Sequence, residues 1–373
     1  MSGLYIHIPY CHSKCAYCDF YSMPRTDTMR QYVDALLTEL DLRISEVVDR
    51  VTTVYIGGGT PSILPIELLS KIVKGVSNYV DLSSIEEFTI EANPEDVTSE
   101  WVGAIRHLGI NRVSMGIQSF NDEELEIINR RHTARTALQA VEILRHGGIT
   151  CISGDLIYGL PGQDLESWKY SLETLMSLQL PHFSAYLLSY EPGTGLYVRL
   201  MAGKVEEASE ELANEMYQHL IDSAQRNGYC HYEISNFAQP GQEAIHNTNY
   251  WRDFPYLGIG VSAHSFDGKK RRFNPANIKE YIAKLSQKKC YCEIEEEDAD
   301  ARHNDYIIVA LRTAQGIDIL RYKEQYGVEA YCNMMNMAAK HIEEDRMVLT
   351  DSHLSINEQY MLISDRIMLD FII

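Results

Sequence analysis

Two rhythms alternate along the first half of the chain. Short apolar runs such as Leu4-Tyr5-Ile6-His7-Ile8 read as strands, whereas Val33, Leu36, Leu37, Leu40, Ile44 and Val47 recur at the spacing of an amphipathic helix. The pattern predicts strands over 4–9, 53–56, 87–92, 112–117, 151–158 and 182–189, with helices over 29–48, 67–80, 100–108, 133–146 and 164–178 between them. Strand, helix, strand in steady succession is the βαβ rhythm of a parallel sheet. Six such strands are fewer than the eight of a closed barrel, so an open or partial (β/α)6 barrel fits. Ligands of these sheets sit at the carboxyl ends of the strands. The glycine-rich and polar segments 57–61, 93–94, 118–120 and 159–162 fall at those ends.

A long helix over 206–226 follows, and then a loop-rich stretch, 229–275, with strand-like pieces around 256–263 and 271–273. The acidic run from Glu293 to Asp300 reads as a solvated hinge or a helix start. Beyond it, 301–313, 319–326, 331–344 and 358–371 read as helices and 347–350 with 353–356 as a short hairpin. The expected α/β chain therefore has a barrel with its loop-rich extension over 1–275. A small, mainly helical, winged-helix-like C-terminal domain covers 276–373.

The 373 residues are 45% apolar and 23% charged, which excludes a disordered or collagen-like chain. With 33 Lys+Arg against 53 Asp+Glu the net charge is -20, so a sequence-independent grip on nucleic acid is not expected. A small ligand with a positive centre is favoured. No apolar run reaches the roughly 18–20 residues of a transmembrane helix. The N-terminus, Met1 to His7, has neither the basic nor the apolar region of a signal peptide, so a cytoplasmic protein with reduced thiols is expected. Eight cysteines in this length do not make a disulfide scaffold.

Three of those cysteines, Cys11, Cys15 and Cys18, crowd into the segment directly after the first strand. Thiolates are soft ligands that suit zinc or iron–sulfur clusters. Three from one short loop can each take a different corner of a cubane and leave one iron open to a chelating ligand. A structural zinc would need a fourth ligand, which His7 or His12 could supply, and would suit an interaction protein rather than an enzyme.

The spacing Cys11-x3-Cys15-x2-Cys18, with aromatic Tyr17 before the third cysteine, resembles the signature of the radical S-adenosylmethionine (radical SAM) family. Together with Tyr5-Ile6-His7-Ile8-Pro9-Tyr10, it is similar to the branch that contains oxygen-independent coproporphyrinogen oxidase and the haem chaperones. The resemblance continues through 57–61, 91–94, 118–120, Arg130, 155–161 and 246–251. It implies a [4Fe-4S] cluster held by Cys11, Cys15 and Cys18. This cluster binds SAM through its amino and carboxylate groups, and one electron cleaves SAM to methionine and a 5′-deoxyadenosyl radical. It further implies that Gly58, Gly59 and Thr60 meet the methionine amino end, and that Glu91, Gln118, Arg130 and Asp155 are further SAM contacts. Arg130 suits a carboxylate, and Glu91 a ribose hydroxyl or an ammonium. Tyr5 resembles a SAM-contacting tyrosine beside the cluster. Taken singly, the glycines read equally as a tight turn, the polar residues as caps and Tyr5 as a core aromatic. One or two SAM molecules both remain open.

Within the branch, two features depart from the oxidase: Asp19 and Phe20 follow Cys18 where the oxidase has Cys-x-Cys, and only ten residues precede Cys11. A third, His246-Asn247-Thr248-Asn249-Tyr250-Trp251, resembles the H-N-x-x-Y-W motif of the chaperones. An imidazole is a good axial ligand for haem iron, and Tyr250 and Trp251 offer flat apolar faces. His246 is thus the candidate haem ligand, against a plain hydrogen-bonding role, and His264 is a second candidate that reads more as structural. The resemblance implies a haem chaperone that delivers haem to haem proteins such as respiratory enzymes. Oxidative decarboxylation of coproporphyrinogen III to protoporphyrinogen IX is the alternative. A homodimer is left open.

Overall fold

The computed structural model describes residues 1–296 and 298–373. Six parallel strands, β1 (Ser2–Ile8), β2 (Val51–Gly58), β3 (Glu87–Ala92), β4 (Arg112–Gln118), β5 (Cys151–Tyr158) and β6 (His182–Leu187), lie side by side in chain order. Order without reversal is barrel winding, in contrast to a doubly wound sheet. Between the strands run α1 (Met29–Arg43), α2 (Ile66–Ser77), α3 (Ser99–His107), α4 (Asp122–Ile127), α5 (Ala134–His146) and α6 (Leu165–Ser177). Side chains at the N-caps Thr98, Thr133 and Asp164 accept from backbone N–H groups of the first turns of α3, α5 and α6, which fixes where these helices begin.

Alternation along the strands separates two chemistries. Ile6, Ile8, Val54, Ile56, Phe88, Ile90, Val113 and Met115 are buried apolar positions in the main core. The intervening Tyr55, Glu91, Ser114, Asp155 and Ser184 instead line a cavity. A barrel interior this polar is built to hold a ligand.

The barrel does not close. After α7 (Gly195–Met201) and α8 (Glu210–Arg226), β7 (Cys230–Glu233) and β8 (Asn236–Ala238) form a hairpin, with β8 antiparallel to β6. On the other edge β1 is flanked in parallel by β9 (Tyr256–Ile259), followed outward by β10 (His264–Phe266) and β11 (Arg271–Phe273).

α1 stops at Arg43, short of the expected 48, because a 3-10 turn at Ile44–Glu46 brings Glu46 back onto the Arg43 guanidinium. Arg43 is only 2% exposed and also donates to Glu39, the Gly258 carbonyl and Ser265. Glu39, wholly buried, accepts further from Tyr281, Asn274 and the Gly260 N–H. This network ties the β9–β10 region and α10 (Ile278–Ser286) to the first barrel helix.

Residues 245–251, placed in loop-rich chain by their polarity, form a helix, α9 (Ile245–Trp251). The acidic run also differs from a hinge: β12 (Glu293–Glu295) pairs with β11 and sets Glu295 opposite Arg271, an opposite-charge pair that favours strand pairing. Asp298 caps α11 (Ala299–Leu311), and Glu297 lies outside the described residues. β13 (Ile317–Asp318), α12 (Ile319–Glu343) and the hairpin β14 (Met347–Leu349) and β15 (His353–Ile356) follow, with sheet order β13-β15-β14. With α11 and α12 this small sheet gives the expected winged-helix-like arrangement. α12 is two helical runs that meet at Gly327, whose φ of 88° is non-helical and lies in left-handed space, so the expected break between the helices over 319–326 and 331–344 is present. Residues 358–371 fold as two 3-10 turns around a five-residue helix, α13 (Ser364–Met368), which buries Met361, Ile367 and Phe371. Among the described residues no helix is long and apolar enough to cross a membrane.

Candidate cofactor site

A cavity of about 480 Å³ opens at the carboxyl ends of the parallel strands. Cys11, Cys15, Tyr17, Cys18, Gly58, Gly59, Thr60, Glu91, Gln118, Arg130 and Asp155 all line it, so eleven expected site residues meet in one place.

The loop after β1 carries the cysteines and is pinned by the loop after β2. The Gly59 N–H donates to the Ile8 carbonyl at 2.7 Å, the Thr60 N–H to the Tyr10 carbonyl at 2.7 Å, and the Thr60 hydroxyl to Cys11 Sγ at 3.3 Å. A Cβ on Gly59 would stand 2.7 Å from the Tyr10 carbonyl oxygen, so only glycine allows this approach. Gly58 has φ +112°, and its N–H donates to Glu91 Oε2 at 3.0 Å. Burial pushes the Cys11 thiol up and the Cys18 thiol up to about 11. Thiols in such surroundings ionise when a metal supplies the balancing charge.

Arg130 is the hub of the cavity wall. It donates to the Gly116 carbonyl at 2.6 Å, Asn93 Oδ1 at 2.8 Å and Cys15 Sγ at 3.4 Å, while its buried Nε has no partner among the described residues. An unpaired buried guanidinium N–H is a costly group that an anionic ligand would satisfy. Gln118, at the end of β4, has φ 67°; a left-handed backbone on a non-glycine residue marks a constrained position. Across the cavity, burial raises both Glu91, to about 7, and Asp155. Glu91 accepts from Tyr55 at 2.8 Å, and Asp155 from Ser184 at 2.8 Å and Ser114 at 3.1 Å. Two buried carboxyls held up this way gain from a cationic ligand.

The family model of the radical SAM superfamily matches residues 5–175. The Heme chaperone HemW of Bacillus subtilis (strain 168) is 35% identical over 331 residues, 88% of this chain and 87% of its own. The chain belongs to the HemW family of radical SAM proteins. A second HemW relative, from Lactococcus lactis subsp. lactis (strain IL1403), is 33% identical over 361 residues, covering 94% of this chain and 93% of its own. In fold, the chain is similar to the solved structure of coproporphyrinogen III oxidase (HemN) from Escherichia coli: TM-score 0.84, covering 99% of this chain and 89% of that one at 22% identity. At that identity the likeness concerns fold alone.

Membership in the radical SAM superfamily implies a [4Fe-4S] cluster and SAM. The HemW-type cavity fits both groups. Three soft donors stand beside a guanidinium with a free N–H and two buried carboxyls, a complement for iron and for a ligand carrying carboxylate and cationic centres. Among the described residues no three His, Cys, Asp or Glu side chains form a single-ion group, and thiolates that each serve a different iron need not converge on one point. His7, the alternative zinc ligand, has both ring nitrogens engaged, with Tyr5 and the Tyr21 carbonyl.

Two expected residues lie apart from this cavity. Tyr5 gives its hydroxyl to His7 at 3.0 Å and lines a neighbouring aromatic pocket. His246 is 1% exposed, with Nδ1 bonded to Thr53 and Nε2 to Tyr250, both at 2.8 Å, and burial lowers its pKa to about 3. An iron could reach Nε2 only after Tyr250 moved. Asn93 fell within the expected strand-end segment without being singled out, and the pattern along the chain missed Tyr55, Ser114 and Ser184. The even spacing of the polar face along the strands was the one signal that could have found them.

Proposed function

We propose that this protein is a haem chaperone built on a radical SAM scaffold, acting in the cytoplasm and delivering haem to acceptors such as respiratory enzymes. The observation that carries the proposal is the similarity, over nearly the whole chain, to two relatives named Heme chaperone HemW. Cys11, Cys15 and Cys18 hold the cluster. Arg130 takes the SAM carboxylate, Gly58, Gly59 and Thr60 meet its amino end, and Glu91, Gln118 and Asp155 receive its hydroxyl and cationic groups, with Tyr17 closing the wall. When bound, the cluster supplies the electron that makes SAM reactive. The chain's own residues orient SAM and keep water from it. The departures at Asp19 and Phe20 weigh against the coproporphyrinogen reaction.

The test is transfer. Cluster-loaded protein charged with haem is mixed anaerobically with a haem-free respiratory acceptor, and acceptor activity and spectrum are followed, with coproporphyrinogen III offered in parallel. Haem arrival without porphyrinogen consumption supports the proposal. Consumption of coproporphyrinogen III with no transfer overturns it.

A further inference from the structure

A second cavity of about 520 Å³ lies beside the cofactor site, between α9, the β9–β11 strands and the end of the cysteine loop. Its size falls within the roughly 300–1,000 Å³ of sites for cofactor-sized ligands. Its walls are flat and aromatic: Tyr250 and Trp251 from α9, Tyr256 from β9 and Phe266 from β10. Tyr250 and Tyr256 meet edge to face with centroids 4.5 Å apart, which fixes the wall. Phe20 lines both this cavity and the cofactor cavity while 62% exposed, a large apolar side chain left at a shared mouth.

Three histidines stand around or behind this pocket, and they differ in one decisive respect. His7 and His246 have both ring nitrogens engaged within the fold. His264, on β10, is exposed and lines the pocket; its ring lies against Phe273 at 6.1 Å, and among the described residues it makes no hydrogen bond through either nitrogen. A metal ligand needs a lone pair that the protein has not already used. The lining also includes Trp251, whose buried indole N–H has no partner among the described residues and would suit a carboxylate, and Arg271, which pairs with Asp305 at 2.8 Å.

Resting on the haem-chaperone reading above, we propose that haem occupies this aromatic pocket with His264, rather than His246, as the axial ligand to iron. The site places a porphyrin between α9 and the β10–β11 hairpin, with Phe20 as the partition from the cluster and SAM. The network around Arg43 and Glu39 holds that hairpin against the barrel.

The test uses full-length, cluster-loaded protein titrated anaerobically with haemin, read by the Soret band. Wild type, His264→Ala and His246→Gln are compared; glutamine at 246 keeps hydrogen-bonding capacity in the buried position. Saturable wild-type binding that weakens about 10-fold or more in His264→Ala, with a shifted Soret band restored by added imidazole, is the expected result, and His246→Gln should match wild type. Wild-type binding with His264→Ala unchanged in affinity and band position overturns the site and leaves the chaperone reading standing. No saturable binding by wild type overturns both.

Discussion

Replacing Glu91 by Gln should alter how SAM uptake depends on pH. Burial, with Asp155 adding to it, holds the Glu91 carboxyl at about 7 against an ordinary value of 4.5, despite the opposing pull of the Tyr55 hydroxyl and the Gly58 N–H. The folded chain therefore keeps a proton that the unfolded chain releases. The stabilising contribution is fully present below pH 4.5 and is lost as pH rises through about 7; the displacement corresponds to about 3 kcal/mol. A ligand with a cationic centre offsets that loss, because it favours the carboxylate. SAM affinity should then rise with pH through about 7 in wild type. Glu91→Gln should flatten this rise and weaken binding at pH 8 by about 10-fold or more, the worth of a charge-assisted hydrogen bond. Anaerobic calorimetry of cluster-loaded protein at pH 6, 7 and 8, in buffers of different ionisation heat, reads both affinity and proton release. An unchanged affinity and an unchanged pH profile in Glu91→Gln would refute the reasoning.

Alanine at Cys11, Cys15 or Cys18 should reduce iron and sulfide to background and abolish absorbance near 400 nm, whereas serine at Cys290 or Cys292 should leave both intact. Arg130→Lys keeps the charge but loses the fork that reaches Gly116, Asn93 and Cys15, so SAM affinity should fall about 10-fold or more with cluster content retained, by iron assay and calorimetry. Gly59→Ala forces a Cβ against the Tyr10 carbonyl and should cost about 1–3 kcal/mol in denaturant unfolding. Arg43→Met leaves the buried Glu39 carboxylate without its cation and should cost about 3–5 kcal/mol, measured the same way.

Much of the barrel was legible because most strands and helices announce their own period: the six strands and five of the six helices between them were expected close to where they fold, whereas the short α4, too brief to show a helical period, was not. The cysteine spacing and the triple glycine stood out for the same reason, since few other roles demand those residues so close together. What stayed hidden depends on distant partners. α9 carries a polar, aromatic sequence without an apolar stripe, and it is held by the bonds of His246 to Thr53, 193 positions away, and of the Ile245 and His246 N–H groups to Glu87. Arg43 looks like a solvated helix cation until Gly258 and Ser265 fold over it. Ser114 and Ser184 are unremarkable in sequence, yet the register of β4, β5 and β6 sets both against Asp155. The neighbours of His246 and His264 in the chain favoured His246 as the ligand; only the fold shows that both His246 nitrogens are engaged, with Thr53 and Tyr250.

The most direct measurement is haem stoichiometry. Anaerobic, full-length protein with iron and sulfide quantified beforehand is titrated with haemin, and the Soret band is followed to saturation. A haem chaperone should saturate at about one haem per chain with its iron–sulfur content unchanged. A Soret change that never saturates, in protein whose cluster is intact, would contradict haem as the cargo of this fold.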